Sequence, residues 1–301
     1  MLNNKNILKS PAFGAFDNSF KVVSNVGTPG IYLIGFGFDG TACFRKGTKE
    51  GPDAIRDVSD GIETYSPYLD ADLSDNTSLF DLGNLVIGSS HDQNLNWQIG
   101  TDNFNKLFKD KNLINQNIKI ISLGGEHSVS YAPIKTYLDN YEDLIILHLD
   151  AHADLRDGYQ GFHYSHASIM RRVLDHFKTS HQLIQYGIRS GTKEEYLWMS
   201  QNNTLKRSLE ELTSSLKSIP ADRPIYLTLD LDFFDPAYLP GTGTPEAGGE
   251  NFHSFIKIIK ILKTKNLVGS DIVELSPPID KTGNSNVFAA KVLREVILAM
   301  E

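Results

Sequence analysis

Short apolar runs alternate along this chain with longer stretches in which apolar residues recur at helical spacing. Consecutive apolar residues are typical of strands buried on both faces, and a 3.6-residue period is typical of helices that cover such a sheet. The apolar runs predict strands at residues 31–34, 118–123, 144–149, 225–229 and 267–275. Helical spacing predicts helices within residues 52–58, 104–108, 169–177, 205–216, 255–262 and 287–300. The alternation predicts an α/β fold with a mostly parallel central sheet.

No feature of the sequence divides the chain into separate units. It contains no internal repeat and no long linker rich in Pro, Gly and Ser. The Gly- and Pro-rich stretch 236–249 is short enough to be an ordered loop. We therefore predict one domain over residues 1–301, with residues 1–28 as its least clear segment.

Aspartate and histidine residues follow three of the predicted strands. Side chains two positions apart share a face in extended backbone, and ligands of parallel sheets bind beyond the carboxyl ends of the strands. Residues 118–123 lead to Gly124-Gly125-Glu126-His127, residues 144–149 to Asp150-Ala151-His152-Ala153-Asp154, and residues 225–229 to Asp230-Leu231-Asp232. The spacing predicts a metal site whose ligands are His127, Asp150, His152, Asp154, Asp230 and Asp232.

The charge of these ligands indicates how many ions they hold. Four carboxylates at one sheet edge repel one another strongly, and two divalent cations would balance their charge. Oxygen-rich sites with some imidazole suit Mn²⁺, with Ni²⁺, Co²⁺ and Fe²⁺ as alternatives. Cys43 is the single cysteine, which excludes a cysteine-ligated zinc site and an intramolecular disulfide.

Taken together, these motifs resemble those of the ureohydrolases, the family of arginases and agmatinases. The resemblance covers about residues 30 to 300 and includes Gly51-Pro52 near the start and Asp271-Ile272-Val273-Glu274 near the end. It implies an arginase/deacetylase-like α/β/α fold of three layers with two Mn²⁺ ions at the carboxyl edge of the sheet. A hydroxide bridging the ions would hydrolyse a guanidino compound to urea and an amine. The family also implies a homo-oligomer, a trimer or a hexamer.

The resemblance assigns roles to two further residues. Glu274 matches the carboxylate that binds the guanidinium group, with Thr244 expected to orient it. His166 matches the loop histidine that transfers protons to the leaving amine, and His163, three residues earlier, is the alternative. His148 precedes the ligand motif and is expected to support the site without binding metal.

The substrate is predicted from two loops. Arginases carry Asn where this chain has Arg156, so agmatine is the leading substrate. Asp157, Asp235 and Glu246 would attract the amine of agmatine, whereas Arg156 would favour a carboxylate, as in guanidinobutyrate. Guanidine, arginine, a formiminoglutamase-type reaction and a catalytically silent metal-binding protein stay open as alternatives.

Charge and hydropathy limit the partners and the location. The formal net charge of −8 argues against nucleic acid and is compatible with a small cationic substrate. No apolar stretch approaches the length of a membrane span, and Met1 to Lys9 lacks the apolar core of a signal peptide. These observations predict a cytoplasmic protein. Cys43 is expected to be a buried small residue.

Overall fold

The computed structural model describes residues 7–11 and 15–301, and at its centre is a ten-stranded sheet. The strands are β1 Leu8–Lys9, β2 Lys21–Val22, β3 Gly30–Phe36, β4 Tyr65–Ser66, β5 Ala71–Asp72, β6 Leu79–Leu85, β7 Ile118–Gly124, β8 Ile145–Leu149, β9 Gln182–Tyr186, β10 Leu205–Lys206, β11 Pro224–Asp230 and β12 Asn266–Val273. Their order is β1-β6-β3-β7-β12-β11-β8-β9-β10, with β2 also on β6 and β4 paired separately with β5. Among the described residues, every pair in the large sheet is parallel except β1 with β6. The mostly parallel sheet is confirmed.

Side chains of the central strands enter two different hydrophobic cores. On β3, Leu33 packs into one core and Ile34 into the other. On β8, Ile145 packs into the same core as Leu33, and Ile146 packs into the same core as Ile34. Successive side chains of a strand point to opposite faces, so the sheet is buried on both sides. Burial of both faces explains why these strands are consecutive apolar runs and do not alternate with polar residues.

Helices cover both faces of the sheet. They are α1 Ala15–Asn18, α2 Gly51–Ser59, α3 Gln93–Phe108, α4 Tyr131–Asn140, α5 Ile169–Leu174, α6 Lys193–Asn202, α7 Leu209–Ser218, α8 Phe252–Leu262 and α9 Asn284–Met300. Helices α2, α7, α8 and α9 contribute to one core, and α3, α4, α5 and α6 contribute to the other. This arrangement is the expected three-layer α/β/α fold. In the described part of the chain, no helix has the length and hydropathy needed to cross a membrane.

The helix predicted over residues 205–216 is wrong in its first part. Leu205 and Lys206 form β10, which pairs in parallel with β9, and α7 begins only at Leu209. The Ser208 hydroxyl accepts a hydrogen bond from the backbone N–H of Glu211, which is the usual start of a helix. The apolar residues at 205 and 209 therefore belong to two elements although their spacing is helical.

The described residues of the N-terminal segment pack on the same body as the rest of the chain. β1 pairs with β6, and both Phe16 and Phe20 are buried in a core of the sheet. Residues 1–6 and 12–14, part of the segment 1–28 for which the sequence was least clear, lie outside the described residues.

Four adjacent central strands carry the polar residues predicted to form a site. β7, β12, β11 and β8 are neighbours in this order, and their parallel direction places their carboxyl ends at one edge. β12 ends at Val273, two residues earlier than predicted, because Glu274 has a φ of 66° and leaves the extended conformation. The chain thus turns at the residue that the sequence assigns to substrate binding.

Candidate metal centre

A cluster of histidine and aspartate side chains lies at the carboxyl edge of these four strands. The loops after β7 and β8, together with the end of β11, bring together the predicted ligands His127, Asp150, His152, Asp154, Asp230 and Asp232. Every member is buried except His152, which is half-buried. Their donor atoms divide into two groups around one shared carboxylate.

The first group is centred on the imidazole of His127. Its Nδ1 atom lies 3.0 Å from Oδ2 of Asp150 and 3.1 Å from Oδ2 of Asp154. Oδ2 of Asp230 is 3.4 Å from the same nitrogen. Three carboxylate oxygens and one imidazole nitrogen at such distances fit the coordination of one divalent cation.

The second group is centred on the imidazole of His152. Its Nδ1 atom lies 2.9 Å from Oδ2 of Asp232 and 3.6 Å from Oδ1 of Asp150. Asp150 therefore directs one oxygen to each group. A carboxylate shared in this way is what two neighbouring ions require.

The hydrogen bonds within the cluster leave two of its buried polar atoms without a partner. Nδ1 of His127 and Oδ2 of Asp232 are fully buried and have no hydrogen-bond partner among the described residues. Leaving such atoms unsatisfied costs free energy, and most buried polar atoms have partners. One atom belongs to each group, so the donor set fits a pair of bound cations.

The protonation state of His127 is fixed from behind. Oγ1 of Thr228 donates to Oδ1 of Asp271 at 2.8 Å and lies 2.9 Å from Nε2 of His127. Because the only hydroxyl proton goes to the carboxylate, Thr228 accepts a hydrogen bond from Nε2–H of His127. With its proton on Nε2, the neutral ring would present the lone pair of Nδ1 to a metal ion.

His148 supports the cluster through Asp150. Its Nδ1 atom accepts from the side-chain amide of Gln185 at 3.2 Å, and Gln185 Oε1 accepts from Thr204 at 2.9 Å, which sets the direction of the amide. Nε2 of His148 therefore carries the proton and donates to Oδ2 of Asp150 at 2.7 Å. His148 lies among the side chains that could hold an ion, but both of its ring nitrogens make hydrogen bonds, so a supporting role stays the prediction for it.

The negative charges of the cluster crowd one another. Burial, followed by the carboxylates of Asp232 and Asp150, raises the pKa of Asp230 well above its usual range. Bound divalent cations would remove this penalty, because each cation stabilises the ionised form of the carboxylates around it.

The local backbone differs from the extended segments that the sequence predicted. Asp154 has a φ of 54°, and Asp232 lies in the 3₁₀ turn Leu231–Phe233 that follows β11 directly. The side chain of Asp230 accepts from the backbone N–H of Asp232 at 2.8 Å and stabilises this turn. The aspartates are brought together by tight turns and not by the two-residue period of a strand.

A cavity of about 210 Å³ opens above the cluster. Four predicted ligands form part of its wall, namely His127, His152, Asp154 and Asp230. Residues from the surrounding loops complete it, among them Cys43, Arg156, Tyr159, His166, Thr244 and Glu274. The cavity is large enough for a small molecule beside the candidate metal centre.

Glu274 is held at the cavity by the backbone of the segment that follows β7. Oε1 accepts from the N–H of His127 at 2.8 Å, and the N–H of Glu274 donates to the carbonyl of Gly125 at 2.8 Å. Burial and the Glu126 carboxylate raise the pKa of Glu274 well above its usual range. These two hydrogen bonds orient Glu274, whereas the sequence led us to expect that Thr244 orients it.

The two candidate loop histidines differ in position. His166 is on the cavity wall, whereas His163 is exposed and contacts the Arg172 guanidinium at 2.7 Å. The ring of His166 meets Tyr159 edge-on, with 5.6 Å between ring centroids. Burial lowers the pKa of His166 to about 4. Its imidazole is therefore neutral at physiological pH.

Two expectations about residues at the mouth of the cavity are wrong, one for Cys43 and one for the acidic residues. Cys43 is exposed on the cavity wall, because its loop runs along the opening and not through the core. Asp157 is paired with Arg172 at 2.7 Å, and Asp235 accepts from the backbone N–H groups of its own loop. Of the three acids expected to attract a substrate amine, only Glu246 stays near the site, with Oε1 3.9 Å from His152.

Sequence reasoning did not assign the residues that stand behind the site. They are Thr41, Glu126, Gln185 and Thr228. Glu126 lies within the Gly124-to-Ser128 motif, and Thr228 lies two residues before Asp230 on a buried strand, where a hydroxyl is unusual. Thr41 carries no such signal, because it approaches Glu126 only through the fold.

Comparison with known proteins agrees with this architecture. The model of the arginase family matches residues 29–299. The agmatinase of Bacillus subtilis is 36% identical over 270 residues, which are 88% of this chain and 90% of the relative. The guanidinobutyrase of Pseudomonas aeruginosa is 28% identical over 286 residues, 89% of this chain and 85% of the relative.

A solved structure shows the same fold over nearly the same length. The crystal structure of the agmatine ureohydrolase of Thermoplasma volcanium superposes with a TM-score of 0.75 at 28% identity and covers 90% of each chain. The chain therefore belongs to the arginase family and is an agmatinase-like ureohydrolase.

Proposed function

We propose that this protein hydrolyses agmatine to putrescine and urea with two Mn²⁺ ions. The observation that carries the proposal is the position of the Glu274 carboxylate beside the His/Asp cluster, on the wall of one cavity. A buried carboxylate of this kind binds a planar guanidinium cation. The donor set and the family both favour a binuclear divalent centre, and its mixed oxygen and imidazole ligands favour manganese.

The ligands of the two ions follow from the two groups of donor atoms. His127, Asp154, Asp150 and Asp230 would hold one ion, and His152, Asp232 and the second oxygen of Asp150 would hold the other. When bound, the two cations supply an activated water at neutral pH and stabilise negative charge.

The chain's own residues orient the substrate and transfer the proton. Glu274 fixes the guanidinium group so that its carbon faces the cluster. Water adds to this carbon, the bond to the substituted nitrogen breaks, and urea and an amine are released. His166 takes a proton from the attacking water at its ring nitrogen and gives it to the departing nitrogen. His166 suits this role because its imidazole is neutral and lies on the cavity wall.

The distal end of the substrate meets groups of opposite charge. Glu246 is the acidic group that remains near the cluster, and it favours the free amine of agmatine. Arg156 lines the cavity with its guanidinium 4.7 Å from the centre of the Tyr159 ring, and it favours a carboxylate. Agmatine is preferred because the agmatinase of Bacillus subtilis is the more similar relative. Guanidinobutyrate is the second candidate because of Arg156.

Urea release from a panel of guanidino compounds tests the proposal. We expect kcat/KM at saturating Mn²⁺ to be highest for agmatine, above guanidinobutyrate, guanidine and arginine. Glu246→Gln should lower kcat/KM for agmatine and leave that for guanidinobutyrate unchanged. Asp110→Asn, on an exposed residue of the turn after α3, is the matched control. If kcat/KM is higher for guanidinobutyrate than for agmatine, and if it falls in Arg156→Ala, then the substrate is a guanidino acid and not agmatine.

The same assay separates the remaining alternatives. Release of formamide in place of urea from a formimino substrate would indicate a formiminoglutamase-type enzyme. Metal binding without turnover of any compound would indicate a silent homologue. We also expect a trimer or a hexamer, which light scattering during size-exclusion chromatography measures directly.

A further inference from the structure

Thr41 connects the proposed proton-transfer histidine to a buried carboxylate. Thr41 is buried in the loop after β3, and its backbone N–H donates to Oε2 of Glu126 at 2.8 Å. Its Oγ1 atom lies 2.5 Å from Oε1 of Glu126 and 3.2 Å from Nδ1 of His166. The backbone N–H of His166 also donates to this hydroxyl at 3.3 Å.

The hydrogen bonds around Oγ1 leave one consistent arrangement. Glu126 also accepts from the Ser128 hydroxyl at 2.6 Å, so its carboxylate is the common acceptor of three donors. When Glu126 is ionised, the Thr41 hydroxyl therefore donates its single proton in a hydrogen bond to this carboxylate. A hydroxyl has two lone pairs, and both of them face N–H groups of His166, one on the backbone and one on the ring. Nδ1 of His166 must then carry a proton.

The same device occurs behind a predicted metal ligand. Thr228 donates to Asp271 and accepts from a ring N–H of His127. In both places the threonine hydroxyl donates a hydrogen bond to a buried carboxylate, and its oxygen accepts a hydrogen bond from an imidazole N–H. The two cases differ in which ring nitrogen is protonated. His127 keeps Nδ1 free for the cluster, whereas His166 keeps Nε2 free.

We propose that Thr41 is a positioning residue that holds His166 as the Nδ1–H tautomer. Nε2 is then the ring atom that takes the proton from water and passes it to the departing nitrogen, while Nδ1 and Thr41 retain their own protons throughout. Among the described residues, Nε2 of His166 has no hydrogen-bond partner that would compete for this role. The inference rests on the proposed function, in which His166 transfers the proton.

A double-mutant cycle tests whether Thr41 acts through His166. Thr41→Val keeps the shape of the side chain and removes the hydroxyl, and we expect kcat to fall about 10- to 100-fold, as for other hydrogen-bond partners that orient an imidazole. In the His166→Ala background the same change should lower kcat less than about 2-fold, since no imidazole remains to be oriented. Thr41→Ser restores the hydroxyl and should recover most of the activity with unchanged KM and metal content.

Thr101→Val is the matched control for this cycle. Thr101 is buried in α3, and its hydroxyl has no hydrogen-bond partner among the described residues, so its loss should leave kcat unchanged. Equal losses from Thr41→Val in the presence and absence of His166 would show that Thr41 only maintains the fold, and would overturn the inference.

The tautomer itself can be observed independently of turnover. Neutron diffraction from the Mn²⁺-loaded protein at pH 8 locates deuterium on the imidazole nitrogens. Deuterium on Nδ1 of His166 is expected, and its absence from Nδ1 would overturn the inference. If no guanidino compound is hydrolysed, the proposed function fails although deuterium is present on Nδ1, so the two failures are distinguishable.

Discussion

Asp150 is the residue on which the two halves of the candidate metal centre depend. It directs Oδ2 to His127 and Oδ1 to His152, and His148 donates to it from behind. The backbone N–H of His152 also donates to Oδ1 at 2.6 Å. One hydrogen bond to each carboxylate oxygen, from His148 and from the backbone of His152, therefore sets the orientation of the side chain.

Replacement of Asp150 by Asn tests this central position. Asn keeps the shape but removes the negative charge shared by the two sites, so we expect both Mn²⁺ affinities and the activity at limiting Mn²⁺ to fall. Elemental analysis and urea release measure the two effects. Asp157→Asn, which alters an exposed aspartate paired with Arg172, is the control. Wild-type activity of Asp150→Asn at limiting Mn²⁺ would contradict the ligand assignment.

The two loop histidines give a second prediction at this scale. A positioned proton-transfer residue contributes a factor of about 10² to 10⁴ to the rate. His166→Ala should lower kcat by this order with unchanged metal content, because its ring lies on the cavity wall. His163→Ala should change kcat little, because His163 is exposed against Arg172. The reverse ranking would transfer the role to His163.

The elements of this fold are readable from the sequence where burial alone determines them. The central strands were predicted because both of their faces are apolar, and the parallel order then brings their carboxyl ends together. The division between β10 and α7 was missed because Leu205 and Leu209 have helical spacing in either case. What separates them is a strand pairing with β9 and the cap at Ser208.

The site was predicted in its residue types more than in its geometry. Asp150, His152 and Asp154 were expected to share a face in extended backbone, yet Asp154 has a positive φ. The motif identifies the residue types, but the backbone turn at Asp154 depends on contacts with other strands. Thr41 shows the limit most clearly, because it meets Glu126 across 85 positions of sequence.

The junction between the loop 240–245 and α9 gives a prediction at the scale of elements. Asp280 accepts from the backbone N–H and hydroxyl groups of both Thr282 and Ser285, and the Ser285 hydroxyl accepts from Gly241. These hydrogen bonds lower the pKa of Asp280 to about 2. Asp280→Asn removes the charge, so we expect the free energy of unfolding at pH 7 to fall by about 1 to 3 kcal/mol.

The pH dependence of this loss has a definite sign. The folded-state pKa of Asp280 is below the usual aspartate value, so its contribution is complete above about pH 4 and decreases as the pH falls towards 2. Denaturant unfolding of both proteins between pH 7 and pH 3 measures the difference. Asp110→Asn is again the control. A difference that stays constant down to pH 3 would show that the charge of Asp280 is not responsible.

At the scale of the whole molecule, the sheet and its two helical layers act as a rigid frame for loops from separate parts of the chain. Residues as distant in sequence as Cys43 and Glu274 line one cavity because strands β3, β7 and β12 are neighbours. The frame brings the carboxylate of Glu274 and the imidazole of His166 to the cavity beside the His/Asp cluster. The proposed chemistry needs all of these parts together.

The most direct test of this account is a titration of Mn²⁺ into chelator-treated protein, with bound metal and urea release from agmatine measured on the same samples. Two groups of donor atoms share Asp150, and each could hold one ion. We expect activity to be absent without metal and to reach its maximum only as two Mn²⁺ ions bind per chain. Full activity with one bound ion, or without any, would contradict the account.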